Sequence, residues 1–360
     1  MNTSLASALA LALSASPAVA DIDTGSLRAH FDSIPAALAL APGALTEYGN
    51  RDGATLAVLA RRENLLAPLG DTWWPAARML PLPYWDFLIA GADQWSPTSG
   101  FAFEDIVAIS HVANAPMTLS LIDLDPGVSD AVGPALLSYG YDEEMRDGQP
   151  VYWRFDDFQI SITERNPGHP FDFGLGMSSR VAVTGDRLLH ARGWDAMDLL
   201  LSPDTPTLAS DPRAAATLDA LEDPALPAGT LVRAELYAQG ITVPGAIEGD
   251  TPFLLAEATD GRIDRALMLI PFEDAAVAAD VADRLPAGWE TMTETRPELS
   301  YADFARSALG VAVVGDAPAV LALSLEGPSV DAERRGFDAA FGFSMLQQLV
   351  ILQDLGFLAP

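Results

Sequence analysis

Met117–Phe155 reads MTLSLIDLDPGVSDAVGPALLSYGYDEEMRDGQPVYWRF, and its punctuation sets the reading of the whole chain. Met117–Leu124 is an apolar run with β-branched residues, stopped by Asp125-Pro126-Gly127, and reads as a strand. Val128–Tyr139 carries apolar residues at Val128, Val132, Leu136 and Tyr139, the spacing of one helix face, with Ser129 or Asp130 available to its first turn. Gly140 stands where a helix stop belongs. Asp147-Gly148 is a tight-turn signal ahead of Val151–Phe155, a second strand.

The same grammar recurs on both sides. Arg180–Val183 and Leu188–Ala191, joined through Gly185-Asp186, predict a hairpin, and Asp211–Leu221 a helix that starts Asp-Pro. Beyond the Pro-rich Asp223–Gly229, Leu231–Gln239, Pro252–Ala258 and Arg265–Ile270 predict strands, and Phe272–Leu285 a helix with Glu273 and Asp274 at its start. Val311–Val314 and Val320–Leu325 form a further hairpin through Gly315-Asp316, and Phe337–Leu355 a final helix. Earlier in the chain, Ala54–Ala60 reads as a short strand. The expected class is α+β, in two α+β halves of antiparallel or mixed sheet with helices on one face, and a diverged duplication would account for the two halves. The expected divisions are residues 1–20, 21–225 and 226–360.

Residues 1–20, MNTSLASALALALSASPAVA, have the form of a cleaved secretory signal. The apolar run Leu5–Leu13 is short of the ~20 residues a spanning helix needs, and Ala18-Val19-Ala20 is a small-x-small cleavage pattern. No cysteine exists to carry a lipid anchor. The expected location is the periplasm or the medium, with no later membrane span, because Val311–Leu325 is interrupted by Asp316 and Pro318.

Composition excludes more than it selects. The chain has 360 residues, 50 acidic and 20 basic, for a net charge of −30. Every basic residue is arginine. Without lysine there is no phosphate-loop lysine, Schiff base or Ser-Lys pair. Without cysteine there is no thiolate nucleophile, thiol redox motif, iron–sulfur cluster or thiolate zinc site. The charge repels nucleic acid, and no basic stripe offsets it. No cofactor is expected.

Four groups of residues are candidates for a site. Trp73, Trp74, Tyr84, Trp85 and Trp95, with Arg78, concentrate flat rings among prolines and suit an apolar or sugar ligand, or a partner. Asp123, Asp125 and Asp130 could gather round calcium, although they do not follow the EF-hand spacing. Asp156 or Asp157 with Asp172 could form a carboxylate pair for glycoside chemistry. Among the four isolated histidines, His30, His111, His169 and His190, the loop residue His169 is the best base for a Ser–His–Asp set. Phe337, Phe341, Met345, Leu349 and Leu352 share a helix face that would pack in a core or join a homodimer. The leading expectation is an exported, non-enzymatic protein that binds a ligand or partner. A metal-independent hydrolase and a calcium-stabilised surface protein are the alternatives.

Overall fold

The computed structural model describes residues 22–62, 78–84, 95–241, 251–291, 293, 297–305, 307–328 and 341–358. The strands are β1 Leu45–Asn50, β2 Ile106–Ala113, β3 Leu119–Leu124, β4 Asp142–Arg146, β5 Gln149–Arg154, β6 Ser179–Thr184 and β7 Arg187–Ala191. They continue with β8 Thr230–Tyr237, β9 Phe253–Thr259, β10 Ile263–Phe272, β11 Leu309–Val314 and β12 Ala319–Pro328. All pair antiparallel in one 12-stranded sheet, ordered β11-β12-β10-β9-β8-β1-β2-β3-β7-β6-β5-β4. The class is α+β.

The order is nearly a palindrome about the β1–β8 seam. Outward on one side run β1, β2, β3, β7 and β6, and on the other β8, β9, β10, β12 and β11. A helix follows the third strand on each side, Val132–Tyr139 after β3 and Ala275–Trp289 after β10. The first side carries an additional hairpin, β4–β5. The segments Met117–Phe155 and Arg265–Leu325, alike in grammar, thus begin on strands of equal rank, and the correspondence is one of topology.

Helices cover both faces of the sheet, where the sequence suggested one. On the first face, Leu27, Phe31, Met197, Leu218 and Leu221 from helices Gly25–Phe31, Trp194–Leu201 and Pro212–Leu221 pack on Leu119, Leu121, Leu236, Leu254 and Leu267. On the second face, Val281, Leu285, Leu346 and Leu349 from Ala275–Trp289 and Phe341–Ile351 cover Leu255, Met268, Leu321 and Leu323. Farther along that face, Tyr84, Trp95, Phe101, Val132 and Leu136 cover Ile109, Ile122, Val181 and Leu188. The reason lies in the strands. All seven residues of β9 are buried, and a sheet solvated on one face would alternate. Each fully buried leucine contributes about 1.5–3 kcal/mol. The first-face core draws residues from both sides of position 225.

Local signals explain the boundaries. The Asp211 carboxylate accepts from the backbone N–H groups of Arg213 and Ala214, both at 3.0 Å, so Asp-Pro starts the helix as expected. Gly140 closes Val132–Tyr139 in the left-handed conformation at φ 104°. Ala54–Ala60, expected as a strand, lies instead in the helix Arg51–Arg62. The Asn50 side chain decides it by accepting from the N–H groups of Asp52 and Gly53 at 2.9 and 3.1 Å. Gly49 is fixed by space, since a Cβ there would stand 1.7 Å from the Met79 carbonyl oxygen. Of the face proposed for dimerisation, Met345 and Leu349 are core residues, Leu352 is exposed, and Phe337 lies outside the described residues.

Candidate functional site

A cleft of about 750 Å³ opens on the first face, where β3 and β7 meet helix Trp194–Leu201 and the segment after it. Leu199, Leu200 and Leu201 form one wall, half-buried against the core. The opposite wall carries Asp32, Asp123, Asp186 and Arg187. The size is that of a small-molecule site, and the lining offers both an apolar body and a polar end.

Asp123 anchors the polar end. Its carboxylate lies on β3 directly opposite Arg187 on β7. It accepts from Arg187 Nη2 at 2.9 Å and from His30 Nε2 at 3.0 Å. Arg187 Nη1 reaches Ser33 Oγ at 2.8 Å and the Ala29 carbonyl at 3.0 Å, and Nε also donates to Asp123, so four of its five N–H donors are committed within the protein. Burial by itself pushes the Asp123 carboxyl up, but hydrogen bonds from His30 and Arg187 outweigh it and hold the group well below the usual carboxylate range. Burial also keeps His30 below its ordinary value. His30 is therefore a neutral imidazole that donates from Nε2 to Asp123 and accepts at Nδ1 from the Ser110 hydroxyl, 2.7 Å away.

Ser110, His30 and Asp123 have the connectivity of a nucleophilic triad with its access reversed. A working triad exposes serine and shields aspartate. Here Ser110 and His30 are 0% exposed, while Asp123 faces the cleft. No substrate in the cleft can reach the Ser110 hydroxyl. The network orients a fixed negative charge.

The residues singled out in the sequence fall in separate places. Tyr84 and Trp95 are fully buried. Tyr84 donates to Ser120 Oγ at 2.8 Å, and Trp95 meets Phe101 and Phe103 edge-on. Arg78 is buried in an ion pair with Glu257, which also takes Arg233 at 2.8 Å. Trp73, Trp74 and Trp85 lie outside the described residues. Asp125 faces Arg51 through two 2.7 Å hydrogen bonds, and Asp130 is exposed. Asp123 and Asp125 thus each serve an arginine. No group of three or more His, Asp or Glu among the described residues is placed to hold a metal ion. Asp157 pairs with Arg180 at 2.5 Å and accepts from the Trp194 N–H at 3.1 Å, whereas Asp172 is buried beside Arg154 at 3.3 Å.

A second polar row lies on the other face. Cross-strand register aligns His190, Ser120, His111, Glu47 and Glu235 on neighbouring strands. Glu47 and Glu235 stand directly opposite each other on the β1–β8 seam. Glu235 accepts from the Tyr237 hydroxyl at 2.6 Å and from Gln347 Nε2 at 2.8 Å. Burial, with the nearby charge of Glu235, pushes the Glu47 carboxyl up to about 7. The histidines belong to a belt of rings. His169 stacks on Tyr139 at 4.3 Å and meets Phe171 at 5.7 Å. His190 then meets Phe171 at 4.8 Å and Phe173 at 5.4 Å, and Phe173 meets His111 at 6.1 Å. Sequence spacing gives no sign of this belt, because its histidines are isolated along the chain.

The chain matches no protein-family model and no curated protein. Crystal form I of TP0453 is similar at 11% identity and a TM-score of 0.33, over 86% of this chain and 97% of that one. Crystal form III gives the same identity and score over 83% and 95%. Neither likeness identifies a family.

Proposed function

We propose that this is a non-enzymatic binding protein, exported by means of residues 1–20, whose cleft takes an organic cation with an aliphatic body. The supporting observation is the pairing of a leucine wall with a fixed carboxylate in one cleft of about 750 Å³. Asp32, Asp123 and Asp186 outnumber Arg187, four of whose five donors are spent inside the protein. A cationic head therefore meets net negative potential, while its chain covers Leu199–Leu201. Burial of the Ser110 hydroxyl favours binding over hydrolysis.

The test is calorimetric titration with decyltrimethylammonium and with decanoate, which share a chain length and differ in charge. The cation should bind at least about tenfold more tightly, a difference of roughly 1.4 kcal/mol. Asp123→Asn should erase that preference. Asp32→Asn, on an exposed residue, should reduce it without disturbing the fold. Equal affinity for the two probes would overturn the reading. Export is checked separately by the mass of the mature protein, which should begin at Asp21.

A further inference from the structure

Arginines in this chain have partners. Among the described residues, every other arginine that is at least partly buried makes an ion pair with a carboxylate. Arg192 makes none, in a protein with 50 acidic residues. Its Nε is buried without a hydrogen-bond partner. Burial is the one cause that lowers its pKa, with no carboxylate acting against it.

Its surroundings are unusual in the same way. Arg180 pairs with Ala191 and Arg154 with Ser179, so Ser179 and Arg192 are the next neighbours on β6 and beyond β7. Asp142 pairs with Trp153, which places Tyr141 beside Arg154. Strand alternation turns Tyr141, Arg154, Ser179 and Arg192 to the second face, in one row. Ser179 is 0% exposed and Tyr141 3%. Their hydroxyls sit side by side without a well-formed hydrogen bond. Next to them on the same face, His190 is 1% exposed with both ring nitrogens unpartnered. Asp172, the acid of this region, is taken up by Arg154, the Asn166 N–H at 2.9 Å and the Tyr139 hydroxyl at 3.4 Å.

A buried polar group left unpaired destabilises the fold. The half-buried Arg192 guanidinium has no counter-charge, and its Nε is closed off from water. Water could accept from the hydroxyls but would leave the charge uncompensated. An oxyanion held at this row would supply the missing negative charge and accept from a guanidinium fork and two hydroxyls. We propose that Arg192, Ser179 and Tyr141 form a binding site for a small oxyanion, reached from solvent along the partly exposed Arg192 side chain. This site is on the opposite face of the sheet from the leucine-walled cleft and does not depend on how that cleft is read.

The experiment titrates the full chain with acetate, phosphate and sulfate by calorimetry, at constant ionic strength made up with sodium chloride. At least one of the three should saturate at one equivalent. Binding should weaken about tenfold or more in Arg192→Gln and measurably in Ser179→Ala. Saturation by acetate alone marks a carboxylate site, and by phosphate or sulfate a tetrahedral one; either supports the proposal. Failure of all three to saturate overturns it, and so does wild-type affinity in both variants. Ser179→Ala, which removes one hydroxyl, keeps the test decisive if Arg192→Gln fails to fold.

Discussion

Lowering the pH from 7 to 5 is expected to remove about 4 kcal/mol of stability through the buried His111 and His169, with His190 adding a loss of the same sign and one glutamate acting against them. Burial pushes His111 down to about 4. Burial, with the charge of Arg154, pushes His169 down to about 3. Burial, together with neighbouring His111 and Arg192, holds His190 well below its ordinary value. A histidine whose folded pKa lies below its unfolded value of ~6.5 costs nothing above that pH. Below it, the unfolded chain takes up the proton first, and each unit costs about 1.4 kcal/mol per group. At pH 5 His111 and His169 have each lost about 2 kcal/mol, and His190 loses stability in the same direction. That figure does not depend on how far below 5 the folded values lie. Glu47 acts oppositely and returns roughly 2 kcal/mol over the same range. The net loss is about 2 kcal/mol before His190 adds to it, appreciable against a total of ~5–15. Urea unfolding at the two pH values measures it directly. His190→Phe, which keeps the ring in the Phe171–Phe173 belt, should reduce the loss measured between pH 7 and 5. A stability unchanged between pH 7 and 5 would contradict the account.

Glu47→Gln is expected to stabilise the protein at pH 8 by roughly 2–3 kcal/mol and to do nothing at pH 4.5. The folded pKa of Glu47 is raised from 4.5 to about 7. The penalty is therefore absent below 4.5, grows as pH rises between the two values and is complete above 7. Glutamine removes the charge facing Glu235 and keeps an oxygen to accept from the Leu82 N–H, now 3.1 Å from Glu47 Oε1. Thermal melts of the two proteins at both pH values decide it. An equal gain at pH 4.5 would assign the effect to packing instead of charge.

Much of the fold was legible where turns carry a mechanism. Asp147-Gly148, with φ of 47° and 78°, joins β4 to β5, and Gly185 at φ 59° turns β6 into β7. β4, Asp142–Arg146, escaped notice because it is an edge strand whose charged residues face water, so no apolar alternation marks it. Ala54–Ala60 reads as a strand because an apolar run this short fits strand and helix alike, and the Asn50 cap settles it as part of the helix Arg51–Arg62. The site was harder to read. Asp123 stood out for calcium, but its partners His30 and Arg187 lie 93 and 64 residues away, and no local pattern announces them. The aromatic run drew attention for ligand stacking, yet Tyr84 and Trp95 are wanted by the core. Only pairing across strands brings Arg192 to Ser179.

The β1–β8 seam also has a consequence for the order of assembly. β1 already pairs with β2, and β8 with β9, inside their own sides of the sheet. The seam joins residues near position 47 to residues near 235, so its closure carries a large loop-entropy cost that contacts within each side avoid. Each side can thus gather its strands first, and the two meet late, along a line where two glutamates face each other. Pulse-labelled amide exchange during refolding should find the β1–β8 hydrogen bonds protected after those of β9–β10. Proton uptake by Glu47 then becomes part of how the molecule closes, so the last step of folding should run faster below neutrality than above it.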